Sequence, residues 1–321
     1  MPLQNQPTDQ VTPFDDLAKK PTATPKVINV PARGAGAKTI LRIKQDFTPL
    51  LSAVFKFDLQ QAACILKKNP EFVNVPEPNH YYTPLLLACE IKNDELALEF
   101  VKLLVSCGAN TSQMNSKSKT PLYQACSWGN LAVAKFLIEE CGENVNQPLS
   151  HHRPLVATIE QGRKSTFDYL ISKGADIHMT YTTATGSGFK PIHNACQFGR
   201  LNMVEKLIEL GADVHDCSNT TQLTPFYCAC IGGNLEVIKI LLSKDVKVNV
   251  PKKGGILPIH AAAQCTNASV VQYLLSNGLE YVPDSKGNYP IVYAKKGNKT
   301  DIIAYFSTKY PQETEAGCNI M

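Results

Sequence analysis

A proline followed by leucine, isoleucine or phenylalanine recurs at a nearly constant spacing along this 321-residue chain, in eight copies. Successive copies lie 35, 37, 33, 37, 34, 33 and 32 residues apart, and seven of the eight have an alanine four residues after the proline. The exception has Thr158 at that place. A fixed period of roughly 20–50 residues predicts an array of similar small units instead of one globular core. The eight prolines are Pro49, Pro84, Pro121, Pro154, Pro191, Pro225, Pro258 and Pro290.

The residues of each unit predict two short helices. Threonine precedes four of the prolines, and Thr-Pro favours a helix start because the hydroxyl caps the helix and proline suits its first position. In four units a glycine stands eight residues after the proline, as at Gly129, and predicts a turn. A second helix follows, with apolar residues at helical spacing such as Leu131, Ala134 and Leu137. In several units a Gly-Ala-Asn or Gly-Ala-Asp sequence then ends that helix, with the glycine as its left-handed cap.

This pattern is similar to that of the ankyrin-repeat family, whose repeats are about 33 residues long and carry the signature T-P-L-H-x-A. The resemblance covers roughly residues 46–306. It implies an all-α fold, a solenoid of about eight stacked helix-turn-helix units joined by hairpin loops. The end repeats depart from the pattern, with Phe57 in the place of the turn glycine and Gly297 one residue early. Such departures are typical of the terminal repeats that cap a solenoid.

Two segments, residues 1–45 and 307–321, lie outside the repeats. The first has six prolines, seven Lys or Arg and three Asp. We interpret it as an extended or disordered arm, either a plain tether or a basic strip that lies along an acidic partner. The remaining 276 residues are neutral as a whole, which argues against a nucleic-acid-binding protein. Residues 307–321 are expected to form a flexible tail.

Four of the eleven cysteines stand five residues after a repeat proline. A shared place puts them in a column across successive helices, and helices about 8–10 Å apart cannot bring such a column to one metal ion. We therefore predict buried core thiols, with no metal and no cofactor. The first residues show no charged segment followed by an apolar run, and no stretch approaches 18 apolar residues, so we expect neither a signal peptide nor a membrane span. The cysteines are then expected to be reduced thiols in the cytosol or nucleus. The four residues are Cys89, Cys126, Cys196 and Cys230.

Motifs of enzymes and nucleotide-binding proteins were weighed and do not fit. The glycine-rich sequence before Lys38 is similar to a phosphate loop, but Ala37 stands where that loop needs a glycine. The sequence has no G-x-S-x-G and no H-E-x-x-H motif, so we predict that the protein is not an enzyme. His193 and His260 hold the histidine place of the T-P-L-H signature. The resemblance implies that their rings bridge to backbone groups of the adjacent loop.

The last four residues, Cys318-Asn319-Ile320-Met321, are similar to a C-a-a-X prenylation box in which Met favours a farnesyl group. Asn319 is a poor first aliphatic residue, and Glu313 and Glu315 precede the box without a basic cluster. One lipid without a second signal gives only reversible attachment. The alternatives are a prenylated Cys318 with weak membrane association and an unmodified thiol.

The family resemblance implies a scaffold or adaptor that binds a partner protein on the concave surface made by hairpin tips and first helices. Large aromatic side chains in such a groove are typical interface anchors, while the alternative for each is packing on a neighbouring hairpin. We expect a cytoplasmic monomer. The rival hypothesis is a structural part of a cytoskeletal or ciliary assembly, with the N-terminal arm threaded between subunits. The predicted partner contacts are Tyr82, Trp128, His152, Phe198 and Tyr293.

Overall fold

The computed structural model describes residues 47–147, 152–183 and 186–312. They divide into two compact units, an N-terminal unit that ends at Asn144 and a C-terminal unit that begins at Val145. The predicted all-α class is confirmed, because sixteen α-helices form eight consecutive pairs in the described part of the chain. The predictions for residues 1–45 and for Cys318 lie outside the described residues.

The N-terminal unit contains three helix pairs. In each pair the first helix begins at a repeat proline, and the second helix follows after a short turn. A 3-10 turn, Pro70–Asn74, follows the first pair. The pairs are α1 (Pro49–Phe55) with α2 (Leu59–Lys68), α3 (Pro84–Ala88) with α4 (Asp94–Ser106), and α5 (Pro121–Trp128) with α6 (Leu131–Glu139).

The C-terminal unit contains five helix pairs and a short antiparallel hairpin. Strands β1 (Tyr181–Thr183) and β2 (Gly186–Phe189) occupy one of the longest gaps between repeat prolines. The last helix extends to Lys309, past residue 306, the expected end of the repeats. None of the described helices is long and apolar enough to cross a membrane. The pairs are α7 (Pro154–Gln161) with α8 (Lys164–Ser172), α9 (Pro191–Gln197) with α10 (Leu201–Glu209), α11 (Pro225–Gly232) with α12 (Leu235–Leu242), α13 (Pro258–Cys265) with α14 (Ala268–Ser276), and α15 (Pro290–Lys296) with α16 (Thr300–Lys309).

Four of the first helices begin as predicted, because a threonine hydroxyl accepts a hydrogen bond from a backbone N–H that has no partner inside the helix. The four bonds are 3.1–3.2 Å long and involve Thr48, Thr83, Thr120 and Thr224.

Two repeats without that threonine use a histidine instead. The N–H of Lys190 donates to Nδ1 of His193 at 3.2 Å, so the proton of the neutral ring lies on Nε2, which donates to the carbonyl of Leu223 at 3.1 Å. His260 makes the same two contacts, with Leu257 and Asn288. The expected bridge to the adjacent loop is therefore confirmed for both histidines.

Six of the eight turns between paired helices contain one residue in the left-handed conformation. Glycine supplies it in the middle repeats, as at Gly129 with φ 82°. In the end repeats Phe57 and Asn298 adopt it, with φ 62° and 54°. Gly297 has an ordinary helical φ of −85°, and a Cβ there would lie 2.1 Å from the carbonyl oxygen of Gln264. The early glycine therefore permits close approach to the preceding repeat, and Asn298 makes the turn.

Side chains nine residues after a repeat proline join neighbouring repeats. They donate to carbonyls at the end of the preceding first helix, where the helix itself supplies no donor. Asn130 Nδ2 donates to the carbonyls of Cys89 and Ile91, each at 2.8 Å. Arg200 donates from Nε to Ile159 at 3.0 Å and from its terminal nitrogen to Glu160 at 2.6 Å. These bonds fix the distance between repeats within each unit.

The predicted column of core cysteines is confirmed as buried. Cys89, Cys126, Cys196 and Cys230 all have 0% exposure, as does Cys228. Burial raises the pKa of each thiol, in the case of Cys228 to about 12. These residues are therefore protonated core side chains at neutral pH, since an apolar environment disfavours the thiolate.

Candidate partner-binding surface

The first helices and the hairpin tips form one side of each unit, which we call its inner face. Neighbouring hairpin tips touch through the backbone. Ser116 donates to the carbonyl of His80 at 2.9 Å in the N-terminal unit, and Lys253 donates to that of Thr221 at 2.8 Å in the C-terminal unit. The inner face of each unit is thus supported by contacts along both the helices and the loops.

On the inner face of the N-terminal unit, Tyr82 is held by a side chain of the next repeat. Its hydroxyl accepts a hydrogen bond from Nε2 of Gln124 at 3.2 Å, and the same amide donates to the carboxylate of Glu90. Burial, together with the negative charge of Glu90, raises the pKa of Tyr82 above its ordinary range. Tyr82 and Trp128 are both half-buried. Both residues are therefore partly accessible to a partner, and the bond from Gln124 holds Tyr82 in place.

On the inner face of the C-terminal unit, Phe198 is the aromatic side chain most open to solvent. It follows α9, stands seven residues after its proline as Trp128 does, and is 43% exposed. His152 is half-buried and lies two residues before α7. An exposed phenylalanine on a rigid helical face is a candidate for contact with a partner.

The structure places Tyr293 in the core, contrary to its expected place in the groove. It is 8% exposed, its hydroxyl donates to Oδ2 of Asp284 at 2.6 Å, and its ring contacts His260 edge-on with 5.0 Å between centroids. The place three residues after the proline faces the neighbouring repeat, because Gln124 and Asn194 hold the same place and are also buried. Tyr293 therefore joins the hairpin loop of Asp284 to α15, and its buried ring is not a partner contact.

Two pairs of polar side chains on the inner face were missed from the sequence. Glu90 accepts from Gln124, and Glu160 accepts from Nδ2 of Asn194 at 3.2 Å. In both pairs the glutamate stands six residues after one proline and the amide three residues after the next. Alignment of the repeats by their prolines would have revealed this pairing.

A second missed feature is a group of lysines on the inner face of the last two repeats. The signals were present as the adjacent pairs Lys252-Lys253 and Lys295-Lys296. These pairs did not indicate a basic surface, because the positive and negative charges of residues 46–321 are equal in number.

Across residues 47–147, 152–183 and 186–312, no three His, Cys, Asp or Glu side chains are placed to hold a metal ion.

Models of ankyrin repeats match residues 50–149, 92–181, 192–284 and 155–208, which together span most of the chain. The chain belongs to the ankyrin-repeat family. The ankyrin repeat domain of human ASB11 has the same fold, with a TM-score of 0.61 and 24% identity over 73% of this chain and 99% of that domain.

Two ankyrin-repeat relatives are much longer than the matched region. Ankyrin repeat protein nuc-2 of Neurospora crassa is 23% identical over 182 residues, which are 54% of this chain and 16% of that protein. Palmitoyltransferase AKR1 of Lachancea kluyveri is 32% identical over 148 residues, which are 44% of this chain and 17% of that protein. Both matches concern the repeats, so the names of these proteins describe functions of much larger molecules.

Proposed function

We propose that this ankyrin-repeat chain is a non-catalytic scaffold or adaptor that binds a partner protein on its inner face. The observation that carries the proposal is Phe198, whose ring is 43% exposed at the end of a fully packed helix. An apolar ring kept in water costs free energy that contact with a partner recovers. Ankyrin repeats commonly serve as binding surfaces of this kind.

Rigidity of the inner face supports the same proposal. The bonds from Asn130 and Arg200 to the preceding repeat hold successive first helices in place. A surface that is ordered before binding loses little conformational entropy when the partner arrives. We assign partner contacts to Phe198 first, and then to Trp128, Tyr82 and His152, whose exposure is smaller.

The experiment begins with proximity labelling in the native cells to identify the partner, followed by calorimetric titration of purified proteins. Phe198→Ala should weaken binding about tenfold or more, as expected for an aromatic anchor, without changing the melting temperature. Leu210→Ala is the matched control, because Leu210 is 41% exposed and follows a second helix. Equal affinity of the Phe198→Ala and wild-type proteins for every identified partner would contradict the assignment.

The finer predictions concern the cellular setting. A cytoplasmic monomer with a basic arm before residue 46, a permanent cytoskeletal or ciliary part, and a prenyl group on Cys318 remain predictions. Sedimentation of native extracts distinguishes a monomer from a polymer. The intact mass of the protein from its own cells tests the prenyl group.

A further inference from the structure

Five lysines lie on the inner face at the end of the C-terminal unit, and we call them the lysine patch. Two precede α13 in one hairpin loop, one precedes α15 in the next loop, and two lie at the turn between α15 and α16. Within the described residues, none of the five forms an ion pair with a carboxylate. They are Lys252, Lys253, Lys286, Lys296 and Lys299.

Contacts between the last two repeats bring these lysines together. The hydroxyl of Ser285 donates to the carbonyl of Gly254 at 2.7 Å, so the tips that carry Lys253 and Lys286 touch. Lys299 Nζ donates to the carbonyl of Cys265 at 3.2 Å. Burial raises the pKa of the Cys265 thiol, and the positive charges of Lys299 and Lys252 oppose that rise. Lys252 from the loop side and Lys299 from the turn side therefore approach the same thiol.

The carboxylates closest in sequence to the patch have internal partners. Asp284 is 6% exposed and accepts hydrogen bonds from the hydroxyl of Tyr293 and the backbone N–H groups of Lys286 and Asn288. Asp301 accepts from the N–H of Ala268, at the start of a second helix, at 2.7 Å. Asp284 is thus enclosed, whereas Asp301 is exposed and holds the start of the neighbouring second helix.

Three lysines on the second helices of the same unit are arranged differently. Lys164, Lys206 and Lys239 each pair with a carboxylate on their own helix, at 2.7, 3.2 and 2.8 Å. Such i,i+3 and i,i+4 pairs offset the charges of these three lysines locally. The patch differs from them in having five lysines on adjoining loops and turns without such a pair in the described part of the chain.

We propose that the lysine patch binds an acidic segment of the partner protein. The proposal rests on the proposed function and adds the chemistry of the partner. Lysine presents a point charge without the fixed geometry of arginine, and no arginine follows Arg200. A run of several Asp or Glu residues suits such a surface better than one precisely oriented carboxylate. Lys252 and Lys299 are half-buried, whereas Lys253, Lys286 and Lys296 are exposed.

The test uses the full chain and a fluorescein-labelled oligoglutamate at low ionic strength. The patch variant carries Lys253→Glu, Lys286→Glu and Lys296→Glu, three exposed residues. The matched control carries Lys244→Glu, Lys247→Glu and Lys309→Glu, which make the same charge change outside the patch. Both sets include one lysine over a tyrosine ring, Lys296 over Tyr293 and Lys309 over Tyr305.

The patch variant should bind the peptide about tenfold more weakly than wild type, and the control variant less than about twofold. Added salt should reduce binding to the wild type, because screening weakens exposed charges. Equal losses in both variants would show a general effect of net charge and would overturn the proposal. An absence of peptide binding to the wild type would also overturn it. So would binding to phosphatidylserine vesicles that depends on the same three lysines, if the peptide does not bind.

Carbodiimide cross-linking, which joins carboxylates to lysines in contact, locates the bound peptide independently. Cross-links to Lys253, Lys286 or Lys296 support the proposal, whereas cross-links confined to residues 19–44 overturn it. Because the probe contains no apolar residue, its binding does not depend on Phe198. Loss of partner binding in Phe198→Ala and loss of peptide binding in the patch variant are thus separate results.

Discussion

The two units are built on the same repeat but present different chemistry on their inner faces. In the N-terminal unit, half-buried Tyr82 and the carboxylate of Glu90 are tied together by Gln124. In the C-terminal unit, Phe198 is 43% exposed and the lysine patch lies at the far repeats. The repeat fixes the position of a side chain on the inner face, whereas its neighbours in adjacent repeats decide whether a partner can reach that side chain.

The place seven residues after the proline shows this clearly. In the N-terminal unit it carries Lys56, Ile91 and Trp128, and in the C-terminal unit it carries Gln161, Phe198, Gly232, Cys265 and Gly297. A Cβ at Gly232 would lie 2.2 Å from the carbonyl oxygen of Gln197. The same place therefore holds a large ring in one repeat and no side chain at all in another.

The largest expected effect on stability comes from adding a side chain at Gly232, where the neighbouring backbone leaves no room for one. Gly232→Ala should destabilise the protein by about 2–3 kcal/mol, because backbone must move to relieve the overlap. Cys265→Ala, at the same place in the next repeat, should change stability by less than about 0.5 kcal/mol. Urea unfolding followed by circular dichroism measures both. Similar stabilities of the two variants would show that the repeats of the C-terminal unit approach each other equally at this place.

A medium effect on stability is expected at a hairpin turn that contains a charged residue in the C-terminal unit and a neutral one at the equivalent place in the N-terminal unit. Asp284 and Asn115 both stand six residues before a repeat proline. Oδ1 of Asp284 accepts from the N–H groups of Lys286 and Asn288 at 2.8 and 2.9 Å. Oδ1 of Asn115 accepts from those of Lys117 and Lys119 at 2.9 and 3.1 Å. The two turns differ mainly in charge.

Although burial alone raises the pKa of Asp284, the hydrogen bonds from Tyr293, Asn288 and Lys286 lower it to about 2. A lowered folded-state pKa means that the stabilisation is complete above the unfolded value near 3.8 and is lost as pH falls to about 2. Asp284→Asn should cost about 1–2 kcal/mol at pH 7 and flatten the stability profile in that acid range.

Thermal melts from pH 2 to 7 measure this change, with Asn115→Ala as the control that removes the same turn contacts without a charge. If the stability of Asn115→Ala also stopped depending on pH between about 2 and 4, the acid dependence could not be assigned to Asp284.

The smallest expected effect is a difference in reactivity among the thiols of the unaltered protein, without any change in its stability. In both units the buried cysteines, such as Cys89 and Cys196, should resist alkylation in the native state because burial keeps them protonated. Exposed Cys64 and Cys217 should react first. Iodoacetamide labelling with mass spectrometry gives the order. Rapid labelling of the buried thiols in one unit alone would show that its repeats open locally.

Local sequence determined the helix pairs, the threonine caps, the left-handed turns and the buried cysteines. These features depend on residues a few positions apart, and the prolines identify the same place in every repeat. Thr120 and Gly129, for example, act on their own helix. The sequence therefore predicted the fold, while the partner contacts that it suggests stay predictions.

Tertiary structure decided which of those sites are open and which charges are compensated. Tyr293 is buried because Asp284 and His260 surround it, whereas Phe198 remains exposed. Gly297 is needed because Gln264 of the preceding repeat lies against it. The lysine patch forms because adjacent hairpins touch while Asp284 is enclosed. The contacts of Tyr293 with His260, of Gly297 with Gln264 and of Ser285 with Gly254 join residues about one repeat apart, which the local pattern does not specify.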